Sequence, residues 1–223
     1  MQRIPEPELM TDPQQARAYA AADFEQPHAM FVRLFQDAFP DAPAHGCVLD
    51  LGCGPGDITF RFARAHPGCR VHGIDGSEAM LCLAEQALAS DQLLRGRVRF
   101  FKKILPVAPP PLKRYDIIIS NSLLHHLAEP RVLWKSVSDC AAPGAPVFVM
   151  DLKRPESRQA ARRTAELYAA CGPEVLRRDF YNSLLAAFTI DEIREQLADA
   201  GLAGFTVREV SDRHVLISGR MAR

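Results

Sequence analysis

The residues able to do chemistry gather in a few short runs. Cys47-Val48-Leu49-Asp50-Leu51 is an apolar run that opens directly into Gly52-Cys53-Gly54-Pro55-Gly56. Glycines at such a junction permit a tight turn and let a ligand approach the backbone. Residues 58–65 read as a helix capped by Asp57, with free N–H groups and a positive dipole end facing the loop. Asp75 ends the next apolar run, 19 residues after Gly56. An acidic side chain at about that distance meets a ribose hydroxyl.

The glycines do not complete the dinucleotide pattern. Gly52 and Gly54 fit G-x-G-x-x-G, but the third glycine would fall at position 57, which is Asp. A carboxylate there repels a pyrophosphate. The loop is therefore read as a site for a nucleoside-bearing ligand without phosphates.

The elements that must hold these residues follow from the apolar pattern. Apolar runs at 47–51, 70–75, 98–101, 115–120 and 146–151 alternate with helical stretches at 58–65, 77–89 and 130–141. Such alternation means parallel strands joined by crossover helices. The runs are nearly continuous, as expected of strands covered on both faces. Two helices precede them, at 11–23 (capped by Thr11 or Asp12, with Pro13 in the first turn) and at 28–39. In the second, Phe31, Leu34, Phe35, Ala38 and Phe39 share one face. Residues 155–187 are mostly helical with poor periodicity. Thr189-Ile190-Asp191-Glu192 is a capping box whose helix ends near Gly201. Residues 205–210 and 214–219 form a terminal hairpin.

Composition sets the outer bounds. Of 223 residues, 48% are hydrophobic and 24% charged, which excludes a disordered or collagen-like chain. Lys plus Arg and Asp plus Glu both number 27, so no basic excess advertises a nucleic-acid partner. No apolar run nears the ~18 residues that span a bilayer. MQRIPEPELM, with two prolines and two glutamates, does not read as a signal peptide. The six cysteines make no C-x-x-C pair and read as reduced thiols of a cytoplasmic protein.

The whole set resembles the class I S-adenosylmethionine-dependent methyltransferases of small-molecule type. Val48-Leu49-Asp50-Leu51-Gly52-Cys53-Gly54-Pro55-Gly56 resembles their first motif. Gly73-Ile74-Asp75-Gly76-Ser77-Glu78-Ala79-Met80-Leu81 resembles the second. The run from Tyr115 through Asn121 to Leu127 resembles the fourth, and Ala142-Pro143-Gly144-Ala145 the turn before the fifth strand. The resemblance implies an α/β fold: a doubly wound, mostly parallel, seven-stranded Rossmann-like sheet with an antiparallel C-terminal strand. One domain is expected over 1–223, with an N-terminal helical cap (1–40), a cofactor-binding core (41–154), a lid (155–188) and a C-terminal helix and hairpin (189–223).

The resemblance also implies a cofactor, S-adenosyl-L-methionine, and its contacts. The backbone of Gly52, Cys53 and Gly54 would hold the methionine moiety. Asp50 would order that loop or reach the amino group, and Asp75 would take the ribose hydroxyls. Gly76 and Met80 would flank the adenine. Asn121 would present its carbonyl near the donor methyl, and Tyr19 would close over the cofactor. The acid usual after the third strand is missing from Phe100-Phe101-Lys102-Lys103-Ile104-Leu105-Pro106. The adenine would then be read by backbone at Lys103 or Ile104.

The acceptor side is read from the strand ends. His125 and His126 follow the fourth strand and Asp151 ends the fifth, where ligands of parallel sheets bind. Adjacent side chains on one turn are expected to face different ways, with His125 toward the substrate and His126 structural, or the reverse. His125, Asp151 and Tyr181 are candidate catalytic groups. His126, Arg154, Arg178, Phe180 and Asn182 are candidate substrate ligands, with Arg154 forking a carboxylate. Cys53 reads as a loop filler. The expected function is methyl transfer to a small molecule, with no metal and no membrane partner. An RNA methyltransferase, a non-catalytic cofactor-binding protein and a metalloid methyltransferase using Cys53 and Cys171 are the alternatives. Oligomeric state stays open.

Calorimetry tests the loop reading directly. S-adenosylhomocysteine should bind and NAD should not. Asp75→Ala should weaken S-adenosylhomocysteine roughly ten- to a hundred-fold, the ~1.5–3 kcal/mol of a charged hydrogen bond.

Overall fold

A computed structural model describes residues 1–7, 9–169 and 172–222. Its centre is one seven-stranded sheet. Strands β1 (Gly46–Leu51), β2 (Cys69–Asp75), β3 (Val98–Lys102), β4 (Ile117–Asn121) and β5 (Pro146–Leu152) run parallel. The order is β3-β2-β1-β4-β5-β7-β6. Strand β7 (His214–Arg220) lies antiparallel between β5 and β6 (Thr206–Glu209). The expected hairpin is present, and its second strand is the one that joins the sheet.

Period-two alternation divides the core into two layers. Val48, Ile117, Ile119, Phe148 and Met150 face one side, where helices α2 (Glu25–Ala38) and α3 (Asp57–Ala65) cover them with Phe31, Phe35 and Phe62. Leu49, Leu51, Ile118, Val147 and Val149 face the other. There α5 (Arg131–Cys140) and α8 (Ile190–Asp199) cover them with Leu133, Trp134, Val137, Ile193 and Leu197. Helix α4 (Glu78–Ser90) adds Leu88 to the first layer.

Several boundaries differ from the sequence reading. The first helix, α1 (Pro13–Ala20), is shorter than expected and is capped by Asp12, whose Oδ1 accepts from Gln14 N at 2.8 Å. Helix α2 starts at Glu25 rather than 28. Tyr115 pairs with Ala141 in an isolated bridge, so β4 begins only at Ile117. Asp57 does not cap α3. Gly56 is the N-cap in the left-handed region at φ 92°, and Asp57 is the first helical residue.

The segment 155–188 resolves into α6 (Arg158–Ala169) and α7 (Glu174–Ala186). They enclose a third small core of Leu152, Ala161, Ala165, Leu184, Leu185 and Ala187. Cys171, one of the thiols considered for metalloid chemistry, lies outside the described residues. The capping box at α8 is formed as expected, with Thr189 Oγ1 accepting from Glu192 N and Glu192 Oε2 accepting from Thr189 N.

One element had no sequence signal. Residues 1–7 strap over α7 and the turn after β4. Ile4 N donates to Leu185 O, and Arg3 donates to the carbonyls of Ala186, His125 and Leu127. Arg3 also lies 4.0 Å above the Phe188 ring.

Phe148 is the joint between sheet and cap. Its ring meets Phe31 at 4.9 Å, Phe35 at 5.5 Å and Phe39 at 6.4 Å, each edge-on. Phe148→Ala should cost about 3–5 kcal/mol in chemical denaturation.

Candidate functional site

The parallel strands deliver their carboxyl ends to one edge, and the loop after β1 turns sharply there. Gly52 and Gly54 take φ 71° and 53°. A Cβ on Gly52 would strike Leu123 at 2.7 Å, whereas one on Gly54 would meet nothing within 4 Å. Gly54 therefore borders open space that a side chain would fill. Gly52 N and Cys53 N both donate to Ile74 O at 2.9 Å, locking the loop to the end of β2.

The loop walls a cavity of about 600 Å³, a volume suited to a drug-sized ligand. Tyr19, Asp50, Gly52, Cys53, Gly54 and Asp75 line it. So do Gly76, Met80, Lys103, Ile104 and Asn121. Every residue expected around the cofactor thus reaches one space. Asp50 is buried and accepts from Thr59 Oγ1 at 2.6 Å. Burial, with Asp75 nearby, lifts its carboxyl to about 7. Asp75 accepts from Gly54 N (2.9 Å) and Ser77 N (2.7 Å), one on each oxygen. The Gly76 backbone also bonds this carboxylate, which with about four lone pairs still has room for a hydroxyl donor. Burial pushes the Cys53 thiol well above its usual range, which suits a filler and not a nucleophile.

Two details refine the adenine end. Lys103 N donates to Asp75 O at 3.0 Å, so of the two backbone donors proposed there Lys103 is already engaged. A Cβ on Gly76 would touch Leu9 at 2.6 Å, so Leu9 closes that side.

A buried orphan marks the inner end. Asn121 Oδ1 has no partner, while its Nδ2 donates to Ser122 Oγ at 3.2 Å. Ser122 holds φ 54°, strained for a residue with a Cβ, at the turn that leaves β4. An acceptor atom left bare at the cavity wall fits a ligand that brings a polarised C–H or N–H to it.

A second cavity, of about 1050 Å³, lies beneath α7. Tyr19, His28, Asn121, Ser122 and His126 line both cavities. Arg178, Phe180, Asn182, His125 and Met150 line the second. Tyr19, whose phenol is pushed up to about 12 by burial and the surrounding carboxylates, stands at the junction as a neutral hydroxyl.

Three acceptor-side expectations need correction. His125 and His126 do not diverge: the backbone makes a 3-10 turn over Leu124–His126, their rings lie 4.2 Å apart, and both line the second cavity. Tyr181 lines neither cavity. It packs on the third core, since positions 181, 184 and 185 share the face of α7 turned toward α6. Arg154 also lines neither. It is buried beyond the end of β5, with Nη2 on Glu192 Oε1 at 2.6 Å at the start of α8.

Asp151 is a positioning group, not a free base. Its Oδ1 accepts from His125 Nδ1 at 2.5 Å and its Oδ2 from Leu124 N at 2.6 Å. Burial disfavours its charge, but His125 and these bonds more than compensate, holding the carboxyl below its usual range. Burial likewise opposes charge on His125, and Asp151 overcomes it, raising the imidazole. Burial and the charge of His125 push His126 down to about 3, so it is neutral.

Sequence reasoning missed Glu6, Leu9, His28 and Ser122. Glu6 and Leu9 sit in a stretch without periodicity. His28 did carry a signal, a polar residue in register with Phe31 and Phe35. It contacts Asp57, which also accepts from Arg61 Nε at 2.7 Å, so the carboxylate read as a helix cap ties α2 to α3.

The raised Asp50 carboxyl sets a pH dependence. Its folded value, about 7, exceeds the model-compound 3.8. Its contribution to stability is complete below ~pH 4 and is lost as pH rises through 7. Asn does not titrate and still accepts from Thr59. The melting temperature of ligand-free Asp50→Asn should therefore gain on the wild type between pH 5 and pH 8. A pH-independent difference would contradict the assignment.

Comparison with known proteins agrees with this geometry. A methyltransferase-domain family profile matches residues 49–147. Trans-aconitate 2-methyltransferase of Paracidovorax citrulli is 33% identical over 127 residues, 56% of this chain and 45% of that protein. The chain spans about half the length of the first curated relatives it matches. The plantazolicin methyltransferase BpumL, solved with SAH and a monoazolic desmethylPZN analog, superimposes with TM-score 0.70 at 16% identity, over 95% of this chain and 91% of that one. The [4+2]-cyclase SpnF shares the fold as well, with TM-score 0.61 at 16% identity, over 99% of this chain and 89% of that one. With the motifs lining one cavity and the strand order 3-2-1-4-5-7-6, residues 49–147 match a methyltransferase domain and the chain has the fold of solved S-adenosylmethionine-dependent methyltransferases.

Proposed function

We propose that this chain transfers the methyl group of S-adenosylmethionine to a small carboxylic acid held beneath α7. The observation that carries the reading is the wall shared by the two cavities at Tyr19, Asn121, Ser122 and His126. A donor in the first cavity and an acceptor in the second meet across that wall, which also runs along His28 and the residues before it.

When bound, the cofactor supplies a methyl already activated on a sulfonium. The chain's own task is then alignment and exclusion of water. Holding two reactants in line is worth roughly 7–11 kcal/mol. The loop from Gly52 to Gly54 and Asp50 hold the amino-acid end, and Asp75 takes the ribose. Gly76, Met80 and Ile104 enclose the base, and Asn121 Oδ1 faces the reacting end. Tyr19 and the strap of residues 1–7 cover the junction.

Arg178, exposed on α7 and 3.4 Å from Asp179, and Arg213, paired with Asp212 beside the β6–β7 turn, line the acceptor cavity together with the carboxylates of Glu6, Asp23, Glu25 and Asp179. Those cations favour a carboxylate, as does the name of the trans-aconitate relatives. A carboxylate oxygen is nucleophilic without losing a proton, so no general base is required of His125. The fold alone does not settle the reaction, since a cyclase carries it too.

The test is S-adenosylhomocysteine formation with panels of small carboxylic acids, amines and thiols, trans-aconitate among the acids. Turnover should appear with the acids. Arg178→Ala with Arg213→Ala should raise KM about tenfold or more with little change in kcat, the signature of lost ground-state binding. Product with amines or thiols alone would overturn the acceptor class. S-adenosylhomocysteine binding with no turnover on any panel would overturn the transferase reading.

A further inference from the structure

The acceptor cavity contains a cluster that methyl transfer to a carboxylate does not use. Glu6 of the strap and the two adjacent histidines converge there. Glu6 Oε1 lies 3.5 Å from His125 Nε2 and 3.2 Å from His126 Nδ1, and the three atoms all fall within 4.8 Å of one another. For metal–ligand bonds of about 2.0–2.2 Å, tetrahedral or octahedral angles put ligand atoms roughly 3–3.5 Å apart.

The hydrogen bonds around the cluster aim His125 Nε2 and His126 Nδ1 at Glu6, and a bound cation would displace any proton that Nε2 carries. His125 Nδ1 donates to the Asp151 carboxylate at 2.5 Å, so its Nε2 faces Glu6. That carboxylate–histidine arrangement is the one that orients metal-bound imidazoles. His126 donates to the Pro7 carbonyl through Nε2, because Nδ1 is buried without a hydrogen-bond partner despite its nearness to Glu6. Ser183 Oγ of α7 donates to Glu6 Oε1 at 2.9 Å and fixes it. A bare nitrogen lone pair held against a carboxylate oxygen is repulsive unless a cation sits between them.

We propose that Glu6, His125 Nε2 and His126 Nδ1 bind one divalent transition cation, of the zinc or cobalt class, with its remaining positions open to the acceptor cavity. Two imidazoles and one carboxylate suit such ions better than magnesium or calcium. The open positions would take an oxygen of the acceptor, a role that rests on the methyltransferase reading above. Cation binding itself does not. The cation would also clamp the strap to the turn after β4, because Glu6 comes from the first and both histidines from the second, with Ser183 of α7 supporting Glu6.

The test uses the whole chain, stripped with chelator, and Co²⁺ and Zn²⁺ alone as probes. Calorimetry should show one cation per chain. Co²⁺ should give visible bands of nitrogen and oxygen ligation without a thiolate charge-transfer band. Glu6→Gln and His126→Gln should each weaken binding at least tenfold. S-adenosylhomocysteine titration, measured in parallel, shows that each variant remains folded and reports separately on the cofactor site. A cation that binds while S-adenosylhomocysteine does not would sink the functional reading and leave this one standing. Three results would overturn the proposal: no stoichiometric uptake, binding unaltered in both folded variants, or binding lost only in Cys82→Ser at the exposed thiol.

Discussion

A single buried carboxylate organises the working edge of the sheet. Asp151 ends β5 within the protein, where an unpaired charge would be costly. It is met on every side: by His125 Nδ1, by Leu124 N, and by Leu152 N at 2.6 Å. These bonds hold the turn after β4 against the end of β5. The turn in turn fixes His125 and, where the two cavities meet, Asn121, Ser122 and His126. Losing the carboxylate would leave a buried imidazole and backbone donors unsatisfied, a far larger loss than any one contact it makes.

The cofactor side rests on a different device. Its loop is shaped by glycines and anchored by paired donations to Ile74 O, so its geometry belongs to the backbone and not to side chains. Asp75 shares in that anchoring through Gly54 N before any ligand is bound. The same carboxylate thus builds the loop and presents its free lone pairs to the cavity. Preorganisation of this kind reduces the ordering cost of binding.

The acceptor side is assembled from segments far apart in the chain. Helix α7, the first seven residues and the turn after β4 come together at Glu6, Ser183 and the histidine pair. Arg3 reinforces this by donating to carbonyls on both the turn and α7. The cover over the cavity is therefore a set of polar bonds on a small apolar base.

The sheet and the cofactor loop were legible because their signals are local. Apolar runs of five to seven residues, the glycines at 52, 54 and 56, and an acid at the end of the second strand act through backbone conformation and near neighbours. What escaped were residues whose roles depend on distant partners. Tyr181 and Phe180 are adjacent and both aromatic, and only the packing of α7 against α6 decided which one faces the cavity. Arg154 follows a strand end with no local partner in sequence, and Glu192, 38 residues on, holds it. Glu6 lies in a stretch without period or motif. The sequence by itself determined the order of elements and the glycine loop that walls the first cavity, since periodicity and turn chemistry are written within a few residues. Only the tertiary structure decided which side chains line the second cavity, because long-range packing and the pairing of buried charges choose among faces that are equivalent in sequence.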